Sequence, residues 1–137
     1  MTHWIFSYKE EDFRLDECLG DLGFVEWRQT RNVEVGDIVY MYCSTKGKQI
    51  ITYKMLVEKI NIPKSECVDD SKYENPSYVP PKTGFFFRIR PQFRKVVTAA
   101  LSLRSLRQFC GEKSCMQGGK KIEGEYVQYV DKFFKNN

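Results

Sequence analysis

An α+β fold, with a curved sheet or small β-barrel of five to six strands flanked by short helices, follows from three features of the sequence. Alternating apolar segments recur through most of the chain, helical spacing is confined to short stretches near its start and end, and turn residues separate them. A length of 137 residues with 42% hydrophobic and 15% aromatic content suits one core. A single domain over residues 1–137 is expected.

Each segment has its own signature. "HWIFSY" alternates as a strand, with Trp4 and Phe6 on one face and Ile5 and Ser7 on the other. Leu15, Cys18, Leu19 and Leu22 stand at i, i+3, i+4 and i+7, which predicts a short helix; Asp12 or a nearby acid would cap its start and Gly23 its end. "FVEWRQ" is a second strand. "EVGDIVYMYCS" supplies a turn, made by Gly36 and Asp37, and a third strand with Tyr40 and Tyr42 opposed to Val39, Met41 and Cys43. "GKQIITYKMLVEKINIP" returns as its hairpin partner, where Tyr53, Met55 and Val57 alternate.

From Pro63 to Thr83 no apolar period survives, so a long loop is expected, and long loops inside a compact domain often act as lids. Its Tyr73 and Tyr78 either close over a ligand or pin the loop to the core. "FFFRIRPQF" resumes as a strand. "SLRSLRQFC" reads as a helix with Leu103, Leu106 and Phe109 or Cys110 inward, and "IEGEYVQYVDKFF" as a terminal helix built on Ile122, Tyr126, Val130 and Phe133.

Several function classes lose support. No run approaches the roughly 18 apolar residues of a membrane span, and the start lacks the basic region and cleavage site of a secretion signal, so a soluble cytoplasmic protein is expected. The five cysteines are odd in number and scattered, which suits reduced thiols. Cys110 and Cys115 are spaced C-x4-C, but no second pair follows and the one histidine is His3, so no metal is expected. Asp69 and Asp70 are read as solvated carboxylates in preference to a magnesium site. No cofactor is expected.

The net charge of +4 is unevenly spread. Gly84 to Lys121 holds nine of the 22 bases and one of the 18 acids, leaving 13 bases and 17 acids elsewhere. A basic segment in an otherwise acidic chain is the footprint of phosphate-backbone contact, and equally that of a solvated surface.

The frame "HWIFS…EWRQTRNVEVGDIVYMYCS…IITYKMLVEKI…MQGGKKI" resembles the EVE domains of the PUA-like superfamily over nearly the whole chain. There is a more distant similarity to YTH domains in "FSYKEEDF" and in Trp27 followed by Asn32. The chain departs from the EVE pattern at Gly118-Gly119, where a glycine is commonly followed by proline. The resemblance implies a PUA-like barrel that binds nucleic acid, flips out one modified base of DNA or RNA and holds it in an aromatic cage. Modified cytosine, including 5-methylcytosine, or modified adenine is the expected target. Such domains occur alone or fused to nucleases of modification-dependent restriction systems, so a nuclease domain or subunit is a candidate partner.

Carried over by position, Trp27 walls the cage, Ser7 and Tyr8 lie along the base edge, Asn32 hydrogen-bonds it, and Gln117 and Gly118 line the rim. The loop itself, not the resemblance, adds Tyr73 and Tyr78 as pocket candidates that close over the base. Arg88, Arg90, Arg94, Lys120 and Lys121 are the expected phosphate contacts. Physical chemistry makes such a reader coherent. Unstacking a base costs a few kcal/mol, and aromatic stacking returns about 1–3 kcal/mol. One methyl group adds only about 0.8 kcal/mol, so hydrogen bonds and pocket shape must discriminate.

Competing readings exist for individual residues. Trp4 and Tyr42 lie inside regular strands and suit the core, Asn32 can instead cap the neighbouring turn, and Trp27 can serve packing alone. Two other functions are also compatible: an ASCH-like hydrolase of small amides, for which Lys54 and Glu58 are the nearest candidates but form no catalytic constellation, and an interaction module for an acidic protein.

Overall fold

Strand β1, His3–Tyr8, divides its apolar side chains between two cores, one on each face of the sheet. In the computed structural model, which describes residues 1–114 and 116–135, it is followed by α1 (Leu15–Leu22), β2 (Val25–Arg28), β3 (Ile38–Cys43) and β4 (Ile50–Pro63). Then come β5 (Phe85–Pro91), α2 (Leu103–Cys110), β6 (Lys120–Ile122) and α3 (Glu125–Asp131). Single 3-10 turns occur at Lys64–Glu66, Ser71–Tyr73, Ala99–Leu101 and Lys132–Phe134.

The six strands lie in the order β2-β5-β4-β3-β1-β6. All pairs are antiparallel except β1 with β3, so these two strands end side by side at Tyr8 and Cys43. The 14-residue β4 carries register shifts against both neighbours, and such bulges bend a strand and increase its twist. The sheet therefore curls. Phe6 of β1 and Phe87 of β5, which are not sheet neighbours, meet with ring centroids 5.2 Å apart.

Strand alternation accounts for the two cores. Trp4, Phe6, Val39, Met41, Met55 and Val57 gather on the side where α1 adds Leu15, Cys18 and Leu19. Ile5, Tyr40, Tyr42 and Ile51 face the other way, under Leu103 and Leu106 of α2 and Val130 and Phe134. The opposition of Tyr40 and Tyr42 to Val39, Met41 and Cys43 is as expected, and β3 is buried along its whole length.

Local expectations needed four corrections. No side chain caps the start of α1: Arg14 occupies that position and its guanidinium instead reaches Asn75 Oδ1 at 2.8 Å and Lys72 O. Gly23 does end the helix in the left-handed conformation, at φ 76°. Second, residues 120–122 form edge strand β6 against β1, so Ile122 belongs to the sheet and the terminal helix starts later. Third, Phe134 is the buried anchor of the final 3-10 turn, and Phe133 is only partly buried. Fourth, Phe109 lies outward and stacks on Tyr129 at 5.6 Å.

Among the described residues, no helix is long and apolar enough to cross a membrane. Cys18, Cys43, Cys67 and Cys110 are free thiols; Cys115 lies outside the described residues.

Candidate functional site

The parallel ends of β1 and β3 create an opening at one end of the sheet. Ser44, just past β3, donates its backbone N–H to Tyr8 O at 2.8 Å, and its hydroxyl donates to the same oxygen at 3.2 Å. Strand β2 curls round from the far sheet edge and brings Trp27 across from them. Between these elements lies a cavity of about 230 Å³. Its aromatic walls are Tyr8, Phe13, Trp27 and Tyr78, and its polar groups are Ser7, Lys9, Asp12 and Ser44.

Each wall is held in place. Tyr8 shares a 3.0 Å hydrogen bond with Thr52, and burial pushes its hydroxyl pKa well above the usual tyrosine range. Phe13 stands edge-on to both Trp27 and Tyr73. Tyr78 follows Asn75, which is tied to the 9–14 segment by Asn75 N–H to Asp12 O and Asn75 Nδ2 to Glu10 O, both 2.8 Å.

Two further cavities adjoin this one. On the far side of Trp27, sharing Phe13 and Tyr78, is a cavity of about 110 Å³ with Glu26, Asp70 and Glu74 against Arg28 and Lys64. Asp70 is not the solvated carboxylate expected: burial, then the neighbouring charge of Glu74, pushes its pKa up to about 6. In the other direction a cleft of about 440 Å³ shares Ser7, Lys9 and Ser44 with the aromatic cavity. It continues past Tyr42 and Gln49 to Arg107 of α2 and the Met116–Gly118 segment.

That segment is braced by a buried carboxylate. Glu112 accepts from Ser114 N–H at 3.0 Å, Ser114 Oγ at 2.8 Å, Tyr126 OH at 2.9 Å and the Lys120 ammonium. Against the upward push of burial, these bonds hold its pKa down at about 2. Arg31 adds a bond from Nε to Gly119 O at 2.9 Å. A Cβ on Gly119 would lie 2.7 Å from both Phe6 Cζ and Arg31 Cγ, so this position, where the EVE pattern has proline, admits no side chain without displacing a core ring.

The structure therefore brings together Trp27, Ser7, Tyr8 and Tyr78 in one cavity and places Gln117 and Gly118 along its continuation. Two expected pocket residues lie elsewhere. Tyr73 is buried in the core and donates to Asp21 Oδ2 at 2.8 Å, so it pins the loop. Asn32 is exposed, between Arg31 and the buried Val33, and lines none of these cavities.

Three of the five expected phosphate contacts are already paired. Arg88 bonds Glu26 at 2.9 Å and stacks on Phe24 at 4.4 Å, Arg90 bonds Glu58 at 2.7 Å, and Lys120 is held by Glu112. Arg94 and Lys121 are exposed. Clustering of bases along the chain did not translate into a row of free bases on β5, because Glu26 and Glu58 from distant strands pair with Arg88 and Arg90, and the segment's own Glu112 holds Lys120. Sequence reasoning also missed Lys9, Asp12, Phe13, Ser44 and Arg107. The first three sit in "KEEDF", immediately after the "SY" already singled out.

No protein-family model matches the chain, and no curated protein does. Solved structures do match. A hypothetical protein from Leishmania major is 15% identical with a TM-score of 0.67, over 96% of this chain and 93% of that one. ASCH from Zymomonas mobilis is 11% identical with a TM-score of 0.66, over 95% and 94%. The human THYN1 protein, in complex with 5-methylcytosine-containing DNA, is 14% identical with a TM-score of 0.65, over 100% and 99%. The fold is PUA-like. At such identities the likeness concerns the fold alone, and the PUA-like sheet is what carries β1, β2 and β3 to the three sides of the aromatic cavity.

The residues considered for amide hydrolysis do not converge. Lys54 is paired with Asp131 and Glu58 with Arg90, and neither lines the aromatic cavity.

Proposed function

We propose that this chain is a nucleic-acid-binding domain that reads a single flipped, modified base. The observation that carries the reading is the cavity walled by Tyr8, Phe13, Trp27 and Tyr78 with hydroxyls of Ser7 and Ser44 at its edge. Flat apolar walls suit a planar heterocycle, and a few polar groups suit its hydrogen-bonding edge. The structural likeness to THYN1, which is seen with 5-methylcytosine-containing DNA, supports the same reading and makes modified cytosine the first target to try. Trp27 and Tyr78 stack the base, Ser7 and Ser44 meet its edge, and Gln117 and Gly118 border the adjoining strand. Binding and orientation are the whole of this activity; no bond is made or broken.

The test is fluorescence anisotropy with labelled duplexes and single strands of DNA and RNA, unmodified or carrying 5-methylcytosine, 5-hydroxymethylcytosine or N6-methyladenine. One modified probe is expected to bind more tightly than its unmodified twin, with the preference erased in Trp27→Ala. Equal binding of all probes, indifferent to Trp27, overturns base reading and favours an interaction module for an acidic partner.

A further inference from the structure

We infer that the strand flanking the flipped base runs along the cleft between Lys9 and Arg107, and that this cleft, not the basic β5 face, is the phosphate-binding surface. The inference rests on the base-reading proposal for its starting point and on charge for its direction.

The aromatic cavity has two neighbours of opposite character. Beyond Trp27 and Tyr78 lie three carboxylates, Glu26, Asp70 and Glu74, against two bases. Beyond Ser7 and Ser44 the cleft is lined by Lys9 and Arg107 and, among the described residues, by no acid. A phosphodiester leaving the cavity meets repulsion on the first side and attraction on the second.

The two cations are also available. Both are exposed, and neither forms an ion pair with any described residue, whereas Arg88, Arg90 and Lys120 each do. A carboxylate already offsets the charge of an ion-paired arginine, whereas an unpaired cation brings its full charge to a phosphate and releases the counterions condensed on the nucleic acid. Continuity adds a third argument. The cleft and the cavity share Ser7, Lys9 and Ser44, so a backbone can pass from one to the other without leaving the protein surface. Gln49 and Gln117 along the route offer neutral hydrogen bonds to phosphate or sugar.

The experiment measures the dependence of affinity on salt for wild type, Lys9→Gln, Arg107→Gln, the double variant, Gln49→Glu and Arg90→Gln. The probes are a 5-methylcytosine duplex and its unmodified twin. Each duplex phosphate that is no longer neutralised should lower the slope of log K against log salt by about 0.9. The double variant should therefore show a slope smaller by about 1.8 on both probes while keeping the ratio of affinities between them. Gln49→Glu should weaken binding, and Arg90→Gln should change nothing. Unchanged slopes in the double variant, or a reduced slope in Arg90→Gln, overturn the cleft as the phosphate path. Loss of the modified-to-unmodified preference in Trp27→Ala is read separately, so either proposal can fail alone. Absence of binding to both probes at low salt overturns the path outright.

Discussion

The indole of Trp27 meets the ring of Phe13 almost edge-on, with centroids 5.7 Å apart and planes at 81°. Phe13 stands in the same way to Tyr73, whose hydroxyl is tied to Asp21 of α1. The wall of the cavity is thus fixed through a row of rings to the helix behind it, as edge-to-face pairs allow. For Trp27→Ala the expected drop in affinity for the preferred modified probe is about 1–3 kcal/mol, roughly 5- to 150-fold. Trp27→Phe should retain part of it, and urea unfolding of both variants separates weakened binding from weakened stability.

Among the described residues, Asp12 is the one carboxylate lining the aromatic cavity, and a carboxylate accepts from an exocyclic amino group but repels a carbonyl oxygen. The base-reading proposal therefore predicts preference for cytosine- or adenine-type bases over thymine or uracil. Asp12→Asn, which can donate as well as accept, should relax that discrimination by about 1–3 kcal/mol, measured by competition with thymine-containing probes. Unaltered discrimination would show that Asp12 does not meet the base edge.

Gly119 packs its backbone against Phe6. Gly119→Ala should cost about 1–3 kcal/mol in stability through overpacking. Because Arg31 holds the same residue through its carbonyl, the variant should also perturb chemical shifts of Gln117 and Gly118. Gly118→Ala meets no neighbour but sits at φ 63°, so its cost is one of backbone strain, about 1 kcal/mol.

Glu112 makes stability depend on acid. Its folded pKa of about 2 lies below the ordinary glutamate value of 4.5, so the stabilisation is fully present above about pH 4.5 and fades as pH falls toward 2. Glu112→Gln should be less stable by about 2–3 kcal/mol at pH 6, since Lys120 and Tyr126 lose a charged acceptor. The same variant should show a shallower fall in stability between about pH 4.5 and pH 2.5 than wild type. Denaturant midpoints at about pH 6 and pH 3 decide it. Equal acid sensitivity in the two proteins would assign the acid response to other carboxylates.

What the sequence determined by itself is the set of local patterns. Strand-length apolar runs marked β1, β3 and β4, because each sends alternate side chains into the two cores and so is apolar on both faces, whereas in β5 Phe87 and Ile89 enter the first core and alternate with Arg88 and Arg90. Spacing of Leu15, Cys18 and Leu19 with Gly23 marked α1: one apolar stripe and one left-handed stop. The prominence of Trp27, Ser7, Tyr8 and Tyr78 was legible too, through their residue types and through resemblance. Three-residue β6 escaped because a strand so short has no period to read, and it exists only where β1 offers an edge. Tertiary structure alone decided which aromatic residues face a cavity and which are core, separating Tyr78 from Tyr73 within one loop. It also decided which bases are free. Arg88 finds Glu26 across 62 positions and Arg90 finds Glu58 across 32, pairings made by the register of β5 against β2 and β4. Charge is additive along a chain, but the field at a surface depends on where folding puts the counter-charge.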